Sequence, residues 1–267
     1  MLKMKSLKMT TRRKSHLLTP ILAKICNLML PAKMVIQLRN RFGGARDLEI
    51  DLLSDYVSAN SKVIDVGAHI GSYTYVLAKL VGPNGKVYSF EPQPNSFQYL
   101  VDGFKAHKNV ILHNLIVSNQ NSMMKLSIPT IDFHPKYGNA GGTLNSLSED
   151  HQTVLVKAIK LDDCNLGRIS FIKIDTEGNE LRVLQGAREI IQRNLPVIMI
   201  EILAGTSEEN SSGIWSILRG NFNYNCFHLE NGALIQTENF KYLGEIAARL
   251  GDRSFNYIFI PELLKAV

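Results

Sequence analysis

The chain has 267 residues, of which 45% are hydrophobic and 20% are charged, so it can fill the core of one large domain. Its net charge of +6 arises in residues 1–46, which hold eleven Lys and Arg and no Asp or Glu, whereas the rest holds 19 basic and 24 acidic residues. This distribution argues against a general nucleic-acid-binding surface on the main part of the chain. Three widely spaced cysteines exclude a zinc-finger spacing and a disulfide framework, and a reduced, cytoplasmic location is expected.

Residues 1–45 form a basic arm ahead of a predicted domain over residues 46–267. Its apolar stretch, residues 17–38, is interrupted by prolines and lysines, so it lacks the roughly 18 consecutive apolar residues of a membrane-spanning helix. Two interpretations remain open: a tail and helix packed on the domain, or an arm in peripheral contact with an anionic membrane surface. An organelle-targeting segment would have a similar composition.

The predicted helices and strands alternate along the rest of the chain. In order they are a helix over 47–58, strand 62–66, helix 72–81, strand 86–90, helix 95–106, strand 109–115, a strand pair over 124–128 and 154–159, strand 169–174, helix 181–191, strand 196–200, helix 214–219, strand 224–229, hairpin strand 233–235 and strand 255–260. This order predicts a Rossmann-like, doubly wound α/β fold with a seven-stranded, mostly parallel sheet that carries one antiparallel strand.

The stretch from Val63 to Thr74 predicts a nucleotide site. A buried strand ends in Gly67 and Gly71, and a helix follows at once. Glycines let the backbone approach a ligand closely, and the new helix directs free N–H groups at it. The spacing is G-x-x-x-G and not the G-x-G-x-x-G of dinucleotide-binding loops, so an NAD site is not favoured. A loop of this kind, with Asp65 two residues before its first glycine, is typical of S-adenosyl-L-methionine enzymes, where it holds the amino-acid end of the cofactor.

Two further strand ends extend the predicted site. Glu91, followed by Pro92, ends the second strand about twenty residues past the glycine loop, where a carboxylate can accept hydrogen bonds from both ribose hydroxyls. Asn114, at the end of the third strand, either flanks the adenine or is an ordinary polar residue at a strand end. The predicted cofactor-binding residues are Asp65, Gly67, Ala68, His69, Gly71, Thr74, Glu91, Pro92, Asn114 and Asp175.

A long polar segment separates the two strands of the predicted pair. It contains Asp132, His134 and Tyr137 together with several Gly and Asn residues. Long irregular loops on a rigid scaffold are usually functional or disordered. We interpret this one as a lid that faces the substrate, and a mobile surface loop is the alternative.

Three motifs resemble those of the FkbM-type methyltransferases. They are Ile64-Asp65-Val66-Gly67-Ala68-x-x-Gly71, Phe90-Glu91-Pro92, and Ile172-Lys173-Ile174-Asp175-x-Glu177-Gly178-x-Glu180-x-x-Val183-Leu184-x-Gly186-Ala187. The resemblance covers residues 45–260 and implies a class I methyltransferase fold, S-adenosyl-L-methionine as methyl donor, and a hydroxyl-bearing glycan, glycolipid or natural product as acceptor. It also shows a departure, because the usual asparagine after Gly-Ala is His69 here.

Methyl transfer to a hydroxyl needs the acceptor oxygen held in line with the methyl group, and a side chain that takes the proton. The candidate catalytic residues are Asp175, Glu177, Glu201 and His69, and His134 is a further histidine that could reach the site. Asp175 and Glu177 could instead bind the amino group of the cofactor or cap the next helix. No dedicated set of metal ligands is present in the sequence, so no metal is predicted.

Other functions remain open. A non-catalytic S-adenosyl-L-methionine-binding or scaffold protein would keep the same loop, and so would a methyltransferase that acts on a protein, a lipid or RNA. An RNA acceptor predicts an N-P-P-Y-like motif after the fourth strand, where this chain has Asp175-Thr176-Glu177-Gly178. Nucleic acid is therefore not the expected partner.

Overall fold

The computed structural model describes residues 48–129, 151–230, 232–239 and 254–262, together with the single positions 34, 241 and 243. Apart from position 34, the basic arm lies outside the described residues, and its membrane contact stays a prediction. The predicted lid residues Asp132, His134 and Tyr137 also lie outside them. Within the described ranges, no helix is long and apolar enough to cross a membrane.

The described chain forms six α-helices and eleven strands. The helices are α1 (Leu53–Tyr56, after a 3₁₀ turn at Leu48–Leu52), α2 (Ser72–Val81), α3 (Pro94–Phe104), α4 (Glu180–Gln185), α5 (Arg188–Asn194, with a 3₁₀ turn at Leu161–Asp163 packed against it) and α6 (Glu208–Trp215, continued by a π-helical turn at Ser216–Asn221). The strands are β1 (Lys62–Val66), β2 (Lys86–Phe90), β3 (Val110–His113), β4 (Ile116–Val117), β5 (Ser122–Pro129), β6 (His151–Ile159), β7 (Phe171–Ile174), β8 (Val197–Leu203), β9 (Tyr224–Glu230), β10 (Ala233–Thr237) and β11 (Ser254–Pro261).

The main sheet has the strand order β10-β9-β11-β8-β7-β1-β2-β3. Strands β3, β2, β1, β7 and β8 pair in parallel, and β11 lies antiparallel between β8 and β9. The predicted doubly wound sheet is confirmed, and the hairpin strand β10 adds an eighth strand at its edge. The predicted strand pair is also confirmed, as β5 and β6 of a separate three-stranded sheet.

Both faces of the main sheet are covered, as the unbroken apolar runs of its parallel strands require. Val63 of β1 packs in the cluster that contains Leu77 of α2, while its neighbour Ile64 packs on the opposite face with Leu184 of α4. The chain places β2 and β3 on one side of β1 and later places β7 on the other side. The order in which strands are added therefore reverses between the adjacent strands β1 and β7. A crevice at such a reversal is the usual ligand site of doubly wound folds.

The helix predicted over residues 181–191 is two helices in the structure. Both carboxylate oxygens of Asp162 accept backbone N–H groups at the start of α5, from Glu189 at 3.1 Å and Ile190 at 2.9 Å. Between the helices, a β-carbon at Gly186 would overlap the carbonyl oxygen of Ser118. The first helix therefore ends at Gly186, because the chain passes close to Ser118 there. A second helix then begins, and Asp162, which is distant in sequence, caps its N-terminus.

Candidate functional site

A pocket of about 230 Å³ opens where β1, β2 and β7 end at their carboxyl edges. Six of the residues predicted to form the site lie on its wall, namely Gly67, His69, Glu91, Pro92, Asp175 and Glu177. They come from three separate parts of the sequence, and the sheet topology alone brings them together. The pocket lies at the position of the chain reversal described above.

The glycine loop closes tightly over the edge of the sheet. Gly67 has φ +81°, and a β-carbon there would overlap the carbonyl oxygen of Asp175. The N–H groups of Gly67 and Ala68 donate to the carbonyl oxygen of Phe90 at 2.9 and 3.0 Å. Gly71, with φ +93°, is the N-cap immediately before α2, and a β-carbon there would meet side chains of α3. The methyl group of Ala68 packs with apolar residues of α3 and not on the pocket wall.

Glu91 joins the loops that follow β1 and β2. The residue is 6% exposed, and its two carboxylate oxygens accept the N–H groups of His69 at 2.7 Å and of Gln93 at 2.8 Å. The pKa of Glu91 is raised to about 7, chiefly by burial and also by the charges of Asp65 and Asp175, while the two backbone hydrogen bonds act to lower it. Glu91 therefore changes its ionisation near neutral pH.

Asp65 and Thr74 lie behind the pocket rather than on its wall. Asp65 is 1% exposed, and its Oδ2 accepts the hydroxyl of Thr74 at 2.6 Å, while the same hydroxyl lies 2.9 Å from that of Ser89. Burial raises the pKa of Asp65, and the Thr74 hydrogen bond and the charge of Lys173 lower it. In the structure, Asp65 thus holds the first turn of α2 against β1 and β2.

Lys173 is a fully buried cation within the third sequence motif, and it was not among the predicted site residues. Its Nζ lies 3.6 Å from Asp175 Oδ2, 3.9 Å from Glu201 Oε2 and 4.9 Å from the centre of the Tyr73 ring. In the strand register it also lies opposite Asp65 of the neighbouring strand β1. A lysine inside the otherwise apolar run of β7 was the signal that could have identified this cluster from sequence.

Glu201 was predicted to end its strand, and this prediction is wrong. The strand β8 continues to Leu203 because β11 keeps pairing with it, with Asn256 opposite Glu201 and Ser254 opposite Leu203. Glu201 is connected to Asp175 through Lys173 and does not line the pocket. No group of three or more His, Cys, Asp or Glu in the described ranges is arranged to hold a metal ion.

The turn after β7 is shaped by a buried carboxylate. Oε1 of Glu180 accepts the N–H of Thr176 at 3.1 Å, the hydroxyl of Thr176 at 2.9 Å and the N–H of Gly178 at 3.0 Å. These bonds hold a turn in which Glu177 has φ +53° and Gly178 has φ +101°. The turn places Asp175 and Glu177 on the pocket wall.

Asn114 is exposed and is hydrogen-bonded to the loop after β2. Its Nδ2 donates to the carbonyl oxygens of Glu91 at 2.8 Å and of Pro92 at 3.0 Å. The residues that follow it, Leu115, Ile116 and Val117, line the apolar side of the pocket. The structure therefore places Asn114 beside the pocket and its apolar neighbours on the wall.

Comparison with known proteins gives a consistent set of matches. The family described as Methyltransferase FkbM domain matches residues 65–257. Hexuronic acid methyltransferase AglP of Haloferax volcanii is 26% identical over 208 residues, which cover 74% of this chain and 80% of that protein.

Two solved structures resemble this chain to a similar degree. Methyltransferase FkbM from Methylobacillus flagellatus has a TM-score of 0.47 at 16% identity, and the match covers 90% of this chain but only 58% of that protein. Fibrillarin from Aeropyrum pernix, solved with bound S-adenosyl-L-methionine, has a TM-score of 0.47 at 13% identity and covers 79% of this chain and 73% of that protein.

Proposed function

The chain belongs to the FkbM methyltransferase family, and from this premise we propose that it is an S-adenosyl-L-methionine-dependent O-methyltransferase whose acceptor is a sugar hydroxyl of a glycan, glycolipid or natural product. The observation that carries the proposal is the pocket at the chain reversal. There a glycine loop, a buried carboxylate bonded to that loop and an acidic turn surround a cavity of about 230 Å³.

The residues on the pocket wall fit the cofactor. Gly67 leaves no room for a β-carbon, so only bare backbone can form this part of the cradle. Glu91 accepts two N–H groups and keeps further acceptor positions for ribose hydroxyls, since a carboxylate has about four. The carboxylates of Asp175 and Glu177 suit a ligand that carries positive charge. When bound, the cofactor supplies an electrophilic methyl group on a positively charged sulfur.

Asp175 is the proton acceptor in this proposal. It stands on the pocket wall, and Lys173 holds its carboxylate from the buried side at 3.6 Å. The proton of the acceptor hydroxyl passes to an Asp175 oxygen as the acceptor oxygen becomes nucleophilic. Glu177 and His69 share the wall and orient the acceptor, whereas Glu201 acts at a distance through Lys173.

A sugar carboxyl group is a second candidate acceptor, because the relative AglP is named for a hexuronic acid, which carries both hydroxyls and a carboxyl group. A carboxyl group is already ionised at neutral pH and needs no proton acceptor. Asp175 and Glu177 would also repel it from the pocket wall. These two arguments favour a hydroxyl.

Replacing Asp175 with Asn is expected to lower methyl transfer to the acceptor by about 10²–10⁴-fold and to change cofactor-product affinity by no more than about threefold. Transfer is measured with a radiolabelled methyl donor on a panel of neutral and uronic-acid sugars, and affinity by calorimetry with S-adenosylhomocysteine. Asp163→Asn, which changes an exposed carboxylate paired with Lys160, is the matched control and should keep the parent's rate.

The chemistry of the product separates the two acceptors. A methyl ether survives mild alkali, and an ester does not. An alkali-labile product formed at the parent's rate by Asp175→Asn would replace the hydroxyl proposal with the carboxyl one. Tight binding of S-adenosylhomocysteine with no transfer to any acceptor would support the non-catalytic alternative.

Affinity for S-adenosylhomocysteine is expected to rise about tenfold from pH 6 to pH 8, because Glu91 ionises around pH 7 and the carboxylate is the better acceptor for two hydroxyls. The stability of the empty protein has the opposite dependence. Since the folded-state pKa lies above the ordinary 4.5, this contribution to stability is complete below pH 4.5 and is lost as pH rises through 7. Calorimetry at three pH values measures the first effect, and Glu91→Gln should bind more weakly and without this pH dependence. An equal slope in Glu91→Gln would assign the titration to another group.

A further inference from the structure

The two most exposed large apolar side chains in the described part of the chain are neighbours on the strand pair β5–β6. Met123 is 60% exposed and Leu155 is 64% exposed. In the strand register Met123 lies opposite Lys157, and Lys125 lies opposite Leu155, so the four side chains share one face and the two apolar ones are diagonal neighbours. These four residues are termed the ribbon face. An apolar patch rimmed by polar groups is typical of an interaction site.

The reverse side of the same strand pair is buried. Leu126 of β5 and Val156 of β6 are 1% and 6% exposed and pack in one apolar cluster. An antiparallel pair with one buried side normally carries polar residues on its other side. Met123 and Leu155 depart from this pattern. An apolar side chain that remains in water gains free energy when a partner buries it, so the departure indicates a partner.

The lysines of the ribbon face indicate the chemistry of that partner. Residues 116–129 and 151–160, which include all three strands of the small sheet, contain three lysines and no Asp or Glu. Lys160 is paired with Asp163, whereas Lys125 and Lys157 are exposed on the ribbon face. The chain after residue 46 has an excess of acidic residues, so this sheet is a local exception. Cations beside exposed aliphatic groups suit an anionic surface with an apolar interior.

We infer that the ribbon face docks on the surface of a membrane that contains anionic lipids. Met123 and Leu155 enter the headgroup layer, and Lys125 and Lys157 lie beside lipid phosphates. The inference requires neither cofactor nor acceptor and is independent of the proposed function. Because Leu126, on the reverse side of the strand pair, lines the pocket, docking brings the pocket close to the lipid surface.

Two other partners fit the ribbon face less well. Single-stranded nucleic acid is bound through aromatic side chains on which bases stack, and the four residues of the face include no aromatic ring. A second copy of the chain that paired through the same face would bring lysines against lysines around its two-fold axis. A lipid surface meets both the charge and the apolar groups.

The test is sedimentation of the full chain with vesicles of phosphatidylcholine alone and with vesicles of equal parts phosphatidylcholine and phosphatidylglycerol. The parent is expected to bind the anionic vesicles about tenfold more tightly or better, and less tightly as salt is added. Met123→Ser/Leu155→Ser should weaken binding to the anionic vesicles about tenfold, because less apolar surface is buried. Lys125→Gln/Lys157→Gln should weaken it about 10–30-fold.

The matched controls change the same kinds of side chain elsewhere. Ile235→Ser removes an apolar side chain that is 42% exposed on β10. Lys105→Gln/Lys108→Gln removes two exposed lysines near the end of α3. Both controls should bind the anionic vesicles within about threefold of the parent, because neither changes the ribbon face.

A second readout locates the contact, because residues 1–46 also carry eleven cations. The methyl resonance of Met123 in the ¹³C-methionine-labelled parent, assigned with Met123→Leu, is expected to broaden in anionic bicelles that contain a spin-labelled lipid. The fully buried Met199 serves as the internal control and should broaden much less. This readout uses the parent and does not depend on the folding of a double variant.

Three results would overturn the inference. The first is parent-like binding to anionic vesicles by both ribbon-face variants, and the second is a Met123 resonance that broadens no more than that of Met199. The third is self-association of the parent, measured by light scattering, that disappears in Met123→Ser/Leu155→Ser and assigns the face to a second copy. None of the three affects the proposed methyl transfer, which is measured without lipid.

Discussion

Replacing Lys173 with Met is expected to lower the free energy of unfolding by about 3–5 kcal/mol at pH 7. The ammonium is fully buried and lies within 4 Å of Asp175 and Glu201, and its charge lowers the pKa of Asp65. Methionine fills a similar volume but leaves the buried carboxylate of Asp65 without a counter-charge. The loss should shrink at pH 5, because burial raises the pKa of Asp65 and the folded variant, without the charge of Lys173, can then take up a proton there. Urea unfolding at both pH values measures the difference.

The control for this prediction is Lys125→Met on β5, which removes an exposed lysine and should change stability by no more than about 0.5 kcal/mol. Two results would contradict the expected role of the buried charge. One is a loss below about 1 kcal/mol in Lys173→Met, which is less than a broken buried pair costs. The other is a loss that does not depend on pH, which would point to packing instead of electrostatics.

Replacing Gly67 with Ala is expected to weaken S-adenosylhomocysteine binding by more than about 100-fold and to destabilise the fold by about 2–4 kcal/mol. The new methyl group would overlap the carbonyl oxygen of Asp175, and the positive φ of Gly67 disfavours any side chain. Relief of the overlap requires the ends of β1 and β7 to separate, which breaks the 2.9 Å bond from the Asp175 N–H to the Val66 carbonyl. Calorimetry and urea unfolding measure the two effects.

Gly82 offers a matched control for Gly67, because it has φ +68° and open space where a β-carbon would be. Gly82, with φ +68° and ψ −173°, lies in a region that is sparsely populated by residues other than glycine, so Gly82→Ala isolates the cost of a strained backbone, about 1–3 kcal/mol, and should leave binding unchanged. If both variants bind the ligand as the parent does, the close contact between Gly67 and Asp175 has no part in forming the pocket.

The elements nearest the site were predictable to the residue. The strands over 62–66 and 86–90 and the helix over 72–81 match the structure at both ends. Their boundaries are set locally, by β-branched runs and by glycine turns, so the sequence pattern contains them. The helix break at Gly186 and the extra length of β8 depend on Asp162 and β11, which are distant in sequence and invisible to a local pattern.

The identity of the site residues was predictable, but their orientation was not. The sequence places Asp65 and Glu91 at strand ends, and the structure has both there. Glu91 forms part of the pocket wall, whereas Asp65 lies behind it, hydrogen-bonded to Thr74. In a parallel sheet that is buried on both faces, the apolar pattern does not distinguish one face from the other. For the same reason, the sequence pattern did not show that Lys173 lies between carboxylates.

The hydrogen bonds of Glu180 fix the shape of the acidic turn after β7 without using the side chain of Glu177. Two of its three donors are backbone N–H groups, which every residue except proline possesses. The turn can therefore keep its fold with any side chain at position 177 that tolerates the positive φ of +53° found there. Substitutions at position 177 would then change the chemistry of the pocket wall without changing the turn that carries it.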